Sequence, residues 1–124
     1  MSQEFENTAD IKNIMDIDTV LNNLGGDKEL FVELATIFSE ESFDQIKQIR
    51  DNIASGDLKA AAMVSHTLKG AVGNFAAKPA YYAAAQVEKM SREGQLGEMP
   101  DALDALEREV NRLHSALEKI IKEL

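Results

Sequence analysis

Side chains suited to chemistry are concentrated in the run His66-Thr67-Leu68-Lys69-Gly70, followed by a second glycine at Gly73. Histidine is the side chain whose unperturbed pKa leaves it largely neutral, and therefore nucleophilic, near physiological pH. The run lies in a helix-patterned stretch from Asp57 to Phe75. At 3.6 residues per turn, positions 66, 69, 70 and 73 fall on one stripe, so an imidazole, an ammonium and two missing side chains face the same way. A glycine in a helix interior costs roughly 1 kcal/mol relative to alanine. Two on the stripe that bears a histidine point to a surface cleared for close approach by another molecule. Lys69 at i+3 can reach the same volume as the imidazole and offer N–H donors to an anion, an arrangement suited to holding a phosphoryl group.

Each residue also has a plainer reading. A lone helical histidine is ordinarily a satisfied group at the edge of a core, and a lone lysine a solvated surface charge. A helix glycine often marks tight helix-to-helix packing, and for Gly73, nearer the buried face, that reading stands beside the docking one. Metal binding is weaker: the only other histidine, His114, is far off in sequence, and the chain has no cysteine. His114 is expected merely to flank the apolar seam at Leu113. A nucleotide site is not visible either, because Gly25-Gly26 lacks the Lys-Ser/Thr continuation of a P-loop. A histidine prepared for phosphate without an ATP site must receive it from another protein.

The elements that position this run are helical. The composition is rich in alanine, leucine, glutamate and lysine, has no tryptophan and contains only 2 prolines, which predicts an all-α fold. A chain of 124 residues is the size of one domain. Residues 1–17 read as an arm or a short helix laid across the end of a domain spanning 18–124. Asp18 to Leu24 reads as a brief helix stopped by Gly25-Gly26. A long helix capped by Asp27 runs to about Ala54, with Phe31, Leu34, Phe38, Ile49 and Ile53 on one face.

In the His66 helix, capped by Asp57, Leu58, Ala61, Ser65, Leu68, Val72 and Phe75 step by 3 or 4 and form the buried face. His66 stands at its edge. A further helix spans about Pro79 to Arg92, with apolar surface from Tyr81, Tyr82, Ala85 and Val87, and Gly94 and Gly97 end it. Pro100 and Asp101 open a last helix whose seam is Leu103, Leu106, Val110, Leu113, Leu117, Ile120 and Leu124. A coiled-coil dimer competes for that seam, but the other amphipathic helices need partners too, which favours an antiparallel up-and-down four-helix bundle and a monomer.

With 22 acidic and 13 basic residues the formal net charge is −9, so nucleic acid and anionic membrane are poor partners. The first residues have neither the basic region nor the apolar core of a signal peptide, and no stretch approaches a membrane span. A cytoplasmic protein is expected, and Met1 together with a final helix ending at Leu124 favours a free-standing one.

His66-Thr67-Leu68-Lys69-Gly70 with Gly73 and Phe75 resembles the phosphoacceptor motif of histidine-containing phosphotransfer (HPt) domains, and the resemblance extends over roughly Asp18 to Leu124. It implies a four-helix bundle that accepts and donates a phosphoryl group and has no ATP site or enzymatic turnover of its own. By the resemblance, His66 would be the phosphoacceptor, Lys69 would stabilise the phosphoryl group, and Gly70, Gly73 and Thr67 would belong to the docking surface. Glu88, 22 residues after the histidine, matches a position where members place an acidic or amide side chain; it would accept the Nδ1 proton and aim Nε2 outward. Gln86 is the alternative, and a solvent-facing Glu88 the plainer reading. Ala76 departs from the pattern, standing where the family often has another glycine.

The implied partners are receiver domains of response regulators or hybrid histidine kinases, with magnesium supplied by the receiver and no cofactor on this chain. A helical module that docks receivers or kinases without accepting phosphate is the competing reading.

Overall fold

The computed structural model describes residues 11–124. Residues 1–10, most of the expected arm, lie outside the described residues. Residues 11–14 are helical, and Ile14 and Met15 are already buried in the common core.

Local capping chemistry sets where the helices begin. Helix α1 (Ile17–Asn23) starts one residue earlier than Asp18 because Asp16 is its cap. The Asp16 carboxylate accepts the Thr19 N–H at 3.1 Å and the Thr19 hydroxyl at 2.7 Å. Helix α2 (Lys28–Ala54) and helix α3 (Leu58–Gly73) start at the expected caps: Asp27 accepts from the Leu30 N–H at 3.0 Å and Asp57 from the Ala60 N–H at 3.1 Å.

Helices α4 (Lys78–Glu93) and α5 (Met99–Glu123) each begin one residue before their proline. A proline fits anywhere in the first turn, where a helix N–H has no intrahelical acceptor to lose. Helix α4 stops at Gly94, whose left-handed φ of 69° closes the last turn.

Short turns at 55–57, 74–77 and 94–98 make consecutive helices antiparallel neighbours, and α5 returns to pack on α2, closing a four-helix bundle. Cross-helix pairs show the direction directly. Arg50 bonds Glu107 at 2.7 Å while Phe43 stacks on His114, so α2 and α5 run in opposite senses. No strand occurs among the described residues.

The core is built from the expected periodic residues with some rephasing. On α2, Phe31, Phe38 and Ile49 are buried, Leu34 and Ile53 are partly buried, and Ala35, Ser42 and Ile46 complete the face. Phe75, just past the end of α3, packs edge-on against Phe31 and Phe38 at ring-centroid distances of 6.0 and 5.5 Å. The α5 seam is buried from Leu103 to Ile120, and only Leu124 is exposed.

The inward face of α4 differs most from expectation. Tyr81 and Tyr82 are exposed, and Ala80, Ala84, Val87 and Met90 face inward. The separation of packed helices follows the side chains between them, so small alanines let α4 lie close to α3.

Candidate functional site

The outer face of α3 carries the expected stripe. Leu68 and Ser65 are fully buried, whereas Met63, His66, Thr67, Gly70 and Gly73 are exposed. The Ser65 hydroxyl is satisfied by the Ala61 carbonyl at 2.7 Å, so the buried neighbour of His66 leaves no polar group open. The His66 side chain is 63% exposed.

Antiparallel packing of α3 on α4 brings Glu88 beneath the ring. His66 Nδ1 lies 3.0 Å from Glu88 Oε2. A carboxylate can only accept, so Nδ1 carries the proton in this contact and Nε2 is the nitrogen left with a lone pair. Gln86, the alternative, is exposed on the same helix. The phase of α4 decides between them: Val87 and Ser91 fill the core side, and Glu88 follows at the rim facing α3.

Glu88 is 8% exposed and gathers two cations besides the imidazole. Lys69 Nζ lies 2.8 Å from Oε1, and Arg92 donates to Oε2 from both Nε (3.2 Å) and a terminal nitrogen (2.8 Å). Burial alone would push this carboxyl up. The hydrogen bonds from Lys69, Arg92 and His66 outweigh it and hold the pKa at about 2. The hydrogen bond to Glu88, against the opposing effect of burial, raises the pKa of Lys69.

Arg92 was not among the residues singled out in the sequence. Its signal was present as an acidic and a basic residue at i and i+4 on one helix, a spacing that places them side by side. Tyr81 is a second addition: its ring lies under Lys69 Nζ, 5.8 Å from nitrogen to centroid, a cation–π contact at the far edge of the site.

The glycines separate by surroundings. A Cβ added at Gly70 meets nothing within 4 Å, so the space above it is open. At Gly73 it meets the Tyr81 ring at 3.5 Å, an ordinary contact, so no close helix approach demands that glycine. Thr67 is exposed, and its hydroxyl bonds back to the Met63 carbonyl at 3.2 Å.

Ala76 is the described non-glycine residue with positive φ, at 50°. The position where the resemblance expected glycine thus has the backbone conformation that glycine favours. His114 flanks the seam, with its ring 4.9 Å from that of Phe43.

Two clefts flank the site. One, about 560 Å³, lies between the first turns of α3 and the end of α4 and is lined by Leu58, Lys59, Ala62, Met63 and Arg92 among others. The other, about 280 Å³, includes Lys69, Ala85, Glu88, Lys89 and Arg92. A roomier groove of about 590 Å³, between residues 11–14 and α5, shares no residue with the site. No group of three or more metal-ligating side chains converges among the described residues.

A bundle with an exposed, oriented imidazole on its second long helix defines the class of protein. The sequence matches the family model of the Hpt domain over residues 33–116, more than half of the chain, which therefore belongs to the Hpt domain family, the histidine phosphotransfer proteins of phosphorelays. Among solved structures it is similar to histidine-containing phosphotransfer protein B (HptB) from Pseudomonas aeruginosa PAO1. The TM-score is 0.81 at 18% identity, covering 89% of this chain and 96% of that one, a likeness of fold. No curated protein matches the chain in sequence. No helix among the described residues is long and apolar enough to cross a membrane.

Proposed function

We propose that His66 is the phosphoacceptor and that the chain relays a phosphoryl group between receiver-domain aspartates, acting as a cytoplasmic monomer without a cofactor of its own. The observation that carries this reading is an imidazole anchored through Nδ1 on buried Glu88 while the rest of the ring stands in solvent.

In the forward step the Nε2 lone pair attacks phosphorus of an aspartyl phosphate. The N–P bond forms, the P–O bond to the aspartate breaks, and the carboxylate leaves with the bonding pair. Transfer of this kind has a loose transition state, so positioning and charge stabilisation supply most of the catalysis. Glu88 performs the positioning. It keeps the proton on Nδ1 and offsets the positive charge that the ring gains as Nε2 is phosphorylated.

An ammonium has three donors; Glu88 engages Lys69, and the remaining donors are available to the phosphoryl oxygens. The open space over Gly70 admits the partner's backbone. Magnesium, expected on the receiver, would neutralise phosphoryl and aspartate oxygens on the far side of the transfer.

Incubation with phosphorylated receiver domains, followed by mass spectrometry of the label, tests the proposal. Wild type should gain one acid-labile, alkali-stable phosphoryl group at His66, and His66→Gln should gain none. Equal labelling of the two, or failure of every receiver to label wild type, would overturn it and leave a docking module.

A further inference from the structure

Charge is distributed unevenly between the site and the rest of the molecule. Helix α3 carries Lys59 and Lys69 and no carboxylate, and α4 carries Lys78, Lys89 and Arg92 against Glu88 and Glu93. The pair is thus net positive in a chain whose formal net charge is −9. The negative excess lies on α2, α5, the turns and the N-terminal residues.

The cations are not scattered. Lys59 and Arg92 line the larger cleft beside His66, and Lys69, Lys89 and Arg92 line the smaller one. Glu88 is buried and already neutralised by its donors, so Glu93 is the carboxylate that faces these clefts from solvent. Between the cations, Met63 is 60% exposed and Ala62 and Leu58 continue the apolar lining.

We propose that this face is an electrostatic landing site for a receiver surface with an acidic rim around an apolar contact, and that Lys59 and Lys89 steer it. The inference rests on the reading of His66 as phosphoacceptor and adds the chemistry of the partner's surface. Lys69 and Arg92 are held by Glu88, whereas Lys59 and Lys89 have no carboxylate partner among the described residues and are exposed. They project charge outward.

The other long helices, α2 and α5, each carry more carboxylates than cations, so the net positive face of α3 and α4 is the one that attracts an acidic partner. A field arranged this way raises the rate of productive encounter and makes it sensitive to salt, while leaving the chemistry at His66 unchanged. Apolar contact through Met63 then holds the complex for transfer.

The experiment separates the two claims by charging His66 chemically. Potassium phosphoramidate would phosphorylate the wild type, Lys59→Glu, Lys89→Glu and their double variant to the same stoichiometry. A Lys47→Glu control on α2, where Lys47 pairs with Asp51, would do so too. Each charged protein is then mixed in a rapid-quench apparatus with a receiver domain that accepts from the wild type, across salt concentrations.

The double variant should transfer about tenfold more slowly at low receiver concentration and at low salt. The saturating first-order rate should be unchanged, and the salt dependence flattened. Lys47→Glu should behave as wild type. A second-order rate that ignores salt between about 0.03 and 0.3 M, or equal rates for the double variant and Lys47→Glu, overturns the steering claim while leaving His66 as acceptor. Failure of phosphoramidate to label His66, or of every receiver to accept from it, overturns both.

Discussion

Glu88 joins His66, Lys69 and Arg92, and its substitution separates their roles. Glu88→Ala removes the acceptor for Nδ1, so the ring loses its fixed tautomer and orientation. Transfer measured by rapid quench should slow by roughly tenfold or more, the scale on which metal-binding histidines respond to losing the group that orients them. Glu88→Gln keeps an oxygen for Nδ1 and should recover part of that rate. A merely structural role would predict no such ordering between the two variants once both are shown to be folded. Arg92→Ala should act in the same direction and more weakly, because Lys69 still holds the opposite carboxylate oxygen at 2.8 Å. The histidine, the lysine and Gly70 were legible in the sequence because they share one helix, where spacing alone fixes direction. Glu88 was legible only through the resemblance, and Arg92 only as its i+4 neighbour once Glu88 is placed, because sequence spacing cannot say which face of α4 turns toward α3.

The helix α3 retains a glycine at position 70 that local energetics disfavours. Gly70→Ala should raise stability to denaturant by about 1 kcal/mol, since the added methyl meets open space and helix propensity improves. A larger replacement, Gly70→Gln, should remain folded and yet lose transfer to receivers, measured as a fall in the second-order rate. In the turn that follows the same helix, Ala76 sits at a φ of 50°, a left-handed conformation that costs an ordinary residue of order 1 kcal/mol. Ala76→Gly relieves that strain but adds freedom to the unfolded chain; Ala76→Asn tolerates the conformation without the added freedom. Asn should therefore be the more stabilising of the two by chemical denaturation. Caps behaved as elements that sequence specifies well: Asp27 and Asp57 stand at their helix starts because a side-chain oxygen three residues before an N–H needs nothing beyond the local chain.

The response of the whole molecule to acid follows from the buried carboxylate. The folded pKa of Glu88 lies at about 2, below its ordinary value of 4.5. A depressed folded pKa means that the unfolded chain binds the proton more tightly. The stabilisation is complete above about pH 4.5 and is lost as pH falls toward 2. Denaturation midpoints measured across that window should fall with pH in the wild type, and fall less steeply in Glu88→Gln, which has no proton to gain. Ser42 Oγ is buried with no hydrogen-bond partner among the described residues. An unmet buried hydroxyl costs roughly 1–3 kcal/mol, so Ser42→Ala should stabilise the bundle by about 1 kcal/mol in the same assay.

The sequence by itself determined which segments are helical, where α2 and α3 start, which apolar residues line α5 and which stripe of α3 bears the imidazole. These follow from local chemistry: periodicity, caps and the space left by a missing side chain. Tertiary structure alone decided the angular phase of α4, turning Tyr81 and Tyr82 outward and Ala80 and Ala84 inward, because small residues allow the closest approach to α3. That phase carries Glu88 and Arg92 to the imidazole. The contact between His66 Nδ1 and Glu88 Oε2 spans 22 residues and two helices, and only the packing between them could set it.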